Sequence, residues 1–169
     1  KPSEAFLVTT GNVFPIADLK DHLAWLESSK DGDISGTKGE LIINNQGNIE
    51  FKPDLENKLR QADYPVKAGQ ETGCVVCWEL PKNQESNYGL FVLGVDPYAQ
   101  DKSTTSVSLG ACYVIKRAMI GQDNHDKVVA EYVGRPATVD AFNEIVLRLT
   151  KFYNGIVLYE NNIPNLKTY

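Results

Sequence analysis

The sequence predicts an α/β fold whose second half runs β-β-β-α-β. Short β-rich runs bounded by turn residues appear at GLFVLGVDP (89–97), TSVSLGACYVIKR (105–117) and KVVAEYVGR (127–135). One long amphipathic segment follows, from Thr138 to Asn154, and then a last apolar run, GIVLYE (155–160). A helix between consecutive strands is a crossover, so the fourth strand can return parallel to the first.

Taken in order, ADLKDHLAWLE (17–27) sets Leu19, Leu23 and Leu26 on one face and reads as a short amphipathic helix, with Trp25 as a packing residue. The Ser, Gly and Asp content of 28–40 predicts a loop. Its SGTKG string lacks the spacing of a phosphate-binding P-loop. ELIINNQGNIEFKP (40–53) predicts a hairpin, DLENKLRQAD (54–63) a helical turn or two, and GCVVCWELP (73–81) a strand. KNQESNY (82–88) is polar and is the best linker candidate. The nearly continuous apolar run of strand 89–96 is that of a central position covered on both faces, flanked by strands 105–116 and 155–160. In the long helix, Thr138 is an N-cap candidate, Phe142, Ile145, Val146 and Leu149 share a face, and Asn154-Gly155 is the stop signal.

The chain has 169 residues, 42% of them hydrophobic and 23% charged, which suits a globular domain with a real core. No apolar run has the length of a membrane span. A net charge of −5 argues against a chain that coats nucleic acid, though not against an enzyme meeting DNA at one site. The opening KPSEAFLV has no initiator Met or signal pattern and reads as cut from something longer. Cys74 and Cys77 form a CxxC with no second pair or histidines to complete a zinc site. Both are expected to be buried thiols in a reducing, cytoplasmic setting.

Two of the buried strands end on acids, Asp96 and Glu160. Parallel neighbouring strands lie about 4.8 Å apart, so the two carboxylates would meet at the carboxyl ends, where open α/β sheets hold ligands. Adjacent carboxylates repel, and a hard divalent cation relieves that repulsion. Each acid alone also fits a turn or a solvated strand end.

EAFLVTTGNVFP (4–15), VLGVDPY (92–98), VVAEYVGRP (128–136) and FNEIVLRLTKFYNGIVLYENN (142–162) together resemble phage terminase large subunits. The first resembles the segment after the ATPase motor, and the rest the opening of the nuclease domain. The resemblance implies a ribonuclease H-like mixed sheet. Residues 1–82 would be an accessory segment following the motor, and 83–169 an incomplete nuclease domain. It assigns Asp96 and Glu160 as catalytic metal ligands for two Mg²⁺ or Mn²⁺ ions, with a third carboxylate beyond Tyr169. The implied enzyme is an endodeoxyribonuclease cutting double-stranded DNA in the host cell cytoplasm, with the portal and the small terminase subunit as partners and no membrane. This stretch alone would be weakly active, and its strand 155–160 would invite self-association.

Asp101, Ser103, Thr104 and Thr105 lie in the loop after Asp96, and Asn161 and Asn162 after Glu160, within possible reach of substrate. Lys116, Arg117 and Arg135 are scattered cations, Asp140 and Glu144 an exposed helix face, and Trp78 a packing residue. His22 and His125 have no partner at ligand spacing. Two other classes compete. One is a non-catalytic docking module of the packaging motor. The other is an actin- or sugar-kinase-like nucleotide-binding fold, which AQDKSTTS weakens because it has no glycine.

Overall fold

The computed structural model describes residues 15–28, 36–62, 66, 69–82, 88–98, 108–118 and 126–159. They fall into two compact units, 1–35 and 36–169. In the first, helix α1 spans Ile16–Ser28, with Asp18 complementing the positive end of its dipole. Leu19, Leu23 and Trp25 on α1 are exposed, so the expected packing of Trp25 is not found; its ring stacks instead on His22 at 5.6 Å.

The second unit contains a seven-stranded mixed sheet. Its strands are β1 (Thr37–Ile43), β2 (Ile49–Pro53), β3 (Val75–Cys77), β4 (Phe91–Asp96), β5 (Gly110–Lys116), β6 (Lys127–Gly134) and β7 (Ile156–Tyr159), with helix α2 (Val139–Tyr153) between the last two. The spatial order is β2-β1-β3-β6-β5-β4-β7. Every neighbouring pair is antiparallel except β4 and β7, which run parallel.

The β-β-β-α-β order and the flanking of β4 by β5 and β7 are as the sequence predicts. The division at 82/83 is not a division of this sheet. Val75, Val76 and Cys77 of β3 pair with Tyr132, Glu131 and Ala130 of β6, joining the first hairpin to the later strands. In consequence β4 is one strand from the edge of the described sheet rather than central. The 28–40 loop is shorter than expected, because Thr37–Glu40 already pair with β3 and β2.

Segment 54–60 forms a turn instead of a helix. The Asp54 carboxylate accepts from the Leu59 N–H at 2.6 Å, and Asn57 takes a left-handed conformation (φ 51°). A short side chain has replaced the helical ladder as acceptor. β3 is likewise shorter than the predicted 73–81. At its end the N–H groups of Trp78 and Glu79 both reach Val129 O, so the regular pairing stops. At its start Gly73 has φ +70°, and a Cβ there would lie 2.1 Å from Val133 O.

Helix α2 has the ends its sequence encodes. Thr138 Oγ1 accepts from Ala141 N at 3.1 Å, and Asn154 adopts the left-handed cap (φ 49°, ψ 44°). Phe142, Val146, Leu149, Phe152 and Tyr153 pack on the sheet against Phe91, Leu93, Val95, Cys112, Val114 and Tyr132. Gly110 permits this approach: a Cβ there would sit 2.4 Å from Phe142 Cε2. The apolar run of β4 is not covered on both faces, since burial alternates along it. On the face away from α2, Tyr113, Val128, Ile156 and Leu158 are exposed.

Candidate functional site

Asp96 is the last residue of β4, paired with Ala111 of β5, and its side chain is exposed on the face away from α2. The chain on either side of it is buried: Val95 before, Pro97 and Tyr98 after. Tyr98 is 4% exposed. Its hydroxyl lies 3.2 Å from Pro136 O and 3.1 Å from Thr138 O, and its ring is 5.5 Å from that of Phe142. The Arg135 guanidinium lies over the Tyr98 ring, 4.4 Å from its centroid. Arg135 Nη1 also donates to Ser108 O at 2.6 Å.

On the far side of Asp96 lies β7. The parallel register runs Val92↔Ile156, Leu93↔Val157, Gly94↔Leu158 and Val95↔Tyr159. It ends one residue short of Asp96 on β4. Glu160 lies outside the described residues, as do Asp101, Ser103, Thr104, Thr105, His125, Asn161 and Asn162.

Asp96 borders an open depression of about 740 Å³ with Gly94 and Ala111 as its small residues and Tyr113 and Leu158 at its sides. Gly94 is not required by packing: a Cβ there would meet nothing within 4 Å. A side chain at 94 would stand in open space on the uncovered sheet face. Asp96 contributes the hard oxygen donor that Mg²⁺ or Mn²⁺ prefers. Among the described residues no three His, Cys, Asp or Glu side chains gather to hold a metal ion, and Asp96 is the one carboxylate lining the depression.

The scattered cations have structural roles. Lys116, at the opposite end of the sheet from Asp96, is bound with Lys127 to the Glu79 carboxylate, at 2.5 and 2.6 Å. The Arg117 guanidinium lies 3.4 Å from Gly89 O, and its backbone N–H donates to Leu90 O. Asp140 is exposed, and Glu144 pairs with Arg148 along α2 at 2.9 Å. Trp78 is 39% exposed, less packed than expected. A more enclosed cavity, about 220 Å³, opens between β1 and Thr72–Val75. The one cation lining it, Arg148, is already held by Glu144 and by Leu41 O at 2.8 Å.

Cys74 and Cys77 are buried free thiols, as expected, and Cys112 is a third. Burial pushes their thiols up, Cys112 to about 12, so none is a ready nucleophile. The sequence did not reveal two polar networks. Tyr153 donates to Glu79 O at 2.8 Å and receives Cys77 Sγ at 3.1 Å. Gln61 Nε2 donates to Glu131 at 2.5 Å. Both join residues more than sixty positions apart, beyond any local pattern. The one local signal missed was VDPY, where a buried tyrosine follows the acid by two residues.

Among the described residues no helix is long and apolar enough to cross a membrane. No family model matches the chain, and no curated protein or solved structure resembles it closely enough to count as a match.

Proposed function

We propose that this chain carries ribonuclease H-like nuclease sequence of a terminase large subunit, with Asp96 and Glu160 as metal-binding carboxylates. The observation that carries the proposal is the parallel register of β4 and β7. In this reading it runs on by one residue, and Glu160 stands beside Asp96. The strand order β6-β5-β4-β7 with α2 as crossover supports the same fold.

The substrate is double-stranded DNA, and the partners of the intact assembly are the portal and the small terminase subunit. Two Mg²⁺ or Mn²⁺ ions, when bound, polarise the scissile phosphodiester and stabilise charge on the attacking and leaving oxygens. The chain's own part is to hold hard oxygen ligands at fixed spacing on two hydrogen-bonded strands. Gly94 and Ala111 leave room beside Asp96 for the substrate backbone. The reading calls for a third carboxylate beside these two. With two acids alone, cation binding and cutting are weak, because Mg²⁺ gives up its water reluctantly.

The test is Mn²⁺-dependent nicking of supercoiled DNA by the full-length protein. Asp96→Ala is expected to abolish nicking while changing stability by less than about 1 kcal/mol, since the side chain is exposed. Undiminished nicking would overturn the assignment. A docking role has one observation of its own, the exposed apolar Tyr113, Val128 and Leu158 on the uncovered sheet face. It is the role that survives if Asp96 proves dispensable.

A further inference from the structure

We propose that Tyr98, clamped by Arg135, is a positioning residue that fixes Asp96 at the end of β4; the inference rests on Asp96 being a metal ligand. The Asp96 carboxylate is exposed, and the residue is the last rung of β4, paired with Ala111, so the ladder holds its backbone from one side only. Metal ligands must be held to a fraction of an ångström, so the constraint has to come through the backbone. Tyr98 supplies it. Its ring is buried on Phe142, and its hydroxyl is shared between the carbonyls of Pro136 and Thr138. Those carbonyls belong to the N-cap turn of α2, itself fixed by Thr138.

Arg135 closes the arrangement from outside. Its guanidinium covers the Tyr98 ring and donates to Ser108 O, while its backbone N–H donates to Glu71 O at 2.5 Å. The exit of β4, the approach to β5, the exit of β6 and the start of α2 are thereby joined at one tyrosine. Pro97, with its restricted φ, is the only residue between that anchor and Asp96. Displacing the phenol would free Asp96 to move relative to β7 without removing any ligand atom.

The experiment is a calorimetric Mn²⁺ titration of the full-length protein, with nicking measured in parallel. Four proteins are compared: wild type, Tyr98→Phe, Tyr153→Phe and Asp96→Asn. Tyr153→Phe is the control, because it also deletes a buried, hydrogen-bonded phenol, but at the other end of the sheet beside Phe91. Tyr98→Phe is expected to weaken Mn²⁺ binding roughly 10-fold, in the range for groups that orient metal ligands. Tyr153→Phe is expected to lower the thermal midpoint and leave Mn²⁺ binding unchanged. Wild-type Mn²⁺ affinity in Tyr98→Phe, with Asp96→Asn inactive, would overturn the inference and leave the metal site standing. Wild-type affinity in Asp96→Asn would overturn both. If Tyr98→Phe does not fold, Arg135→Gln, which removes the clamp and spares the phenol, is read in its place with the same expected loss.

Discussion

Asn143 gives the sharpest stability prediction. It sits on α2 at 2% exposure, and among the described residues neither its Oδ1 nor its Nδ2 has a hydrogen-bond partner. An amide buried without a partner costs about 1–3 kcal/mol by mutational measures. Asn143→Ala removes that cost and gains about 0.5 kcal/mol of helix propensity. Against this, the truncation vacates roughly 25 Å³, which by cavity measurements loses about 0.6 kcal/mol. The balance is a gain of about 1–3 kcal/mol, where core truncations to alanine ordinarily destabilise. Urea denaturation should show a higher midpoint at unchanged slope, and thermal melting a rise of about 5 °C. A fall in the midpoint would refute the reasoning. It would mean that the amide is satisfied in solution, a buried water being the first suspect.

Three further predictions follow from the charged groups and the sheet edge. Burial pushes the Glu79 carboxyl up, but hydrogen bonds and charge from Lys116 and Lys127 outweigh it and hold the group below its ordinary value. Its contribution is complete above the ordinary carboxylate range and is lost as pH falls through that range to the lower folded value. Glu79→Gln should therefore cost about 1.5–3 kcal/mol at neutral pH in chemical denaturation, mostly through Lys116, and the difference should shrink in acid. Glu131 is the opposite case: burial pushes its carboxyl up, so stability falls as pH rises from the ordinary carboxylate value through the raised one. Glu131→Gln keeps an acceptor for Gln61 and should be more stable than wild type at pH 7, with a flatter pH profile in the same assay. At the edge of the described sheet, β7 carries no charge or proline and exposes Leu158 at 61%, which predicts self-association. Sedimentation should show that Leu158→Lys shifts the protein toward monomer; a wild type that is monomeric at all concentrations would remove the basis for the prediction.

The sequence by itself determined the order of the β-β-β-α-β unit, both ends of α2 and the burial of Cys74 and Cys77. These depend on local chemistry: a hydroxyl at position 138, Asn-Gly after 153, and apolar spacing that matches one period. It also brought Asp96 forward, because an acid that interrupts an apolar strand is visible without knowing what lies beside it. Only the tertiary structure decided that β3 joins β6, since a three-residue strand has no register until its partner exists. It decided too that β4 is buried on alternate residues, because an apolar run looks the same whether one face is covered or two. The helical turn expected after Pro53 gave way to Asp54, whose carboxylate competes for the N–H groups a helix would use. The anchoring of Asp96 was beyond sequence reasoning for the same cause. Tyr98, Ser108, Arg135 and Thr138 come together only once four chain segments are folded against one another.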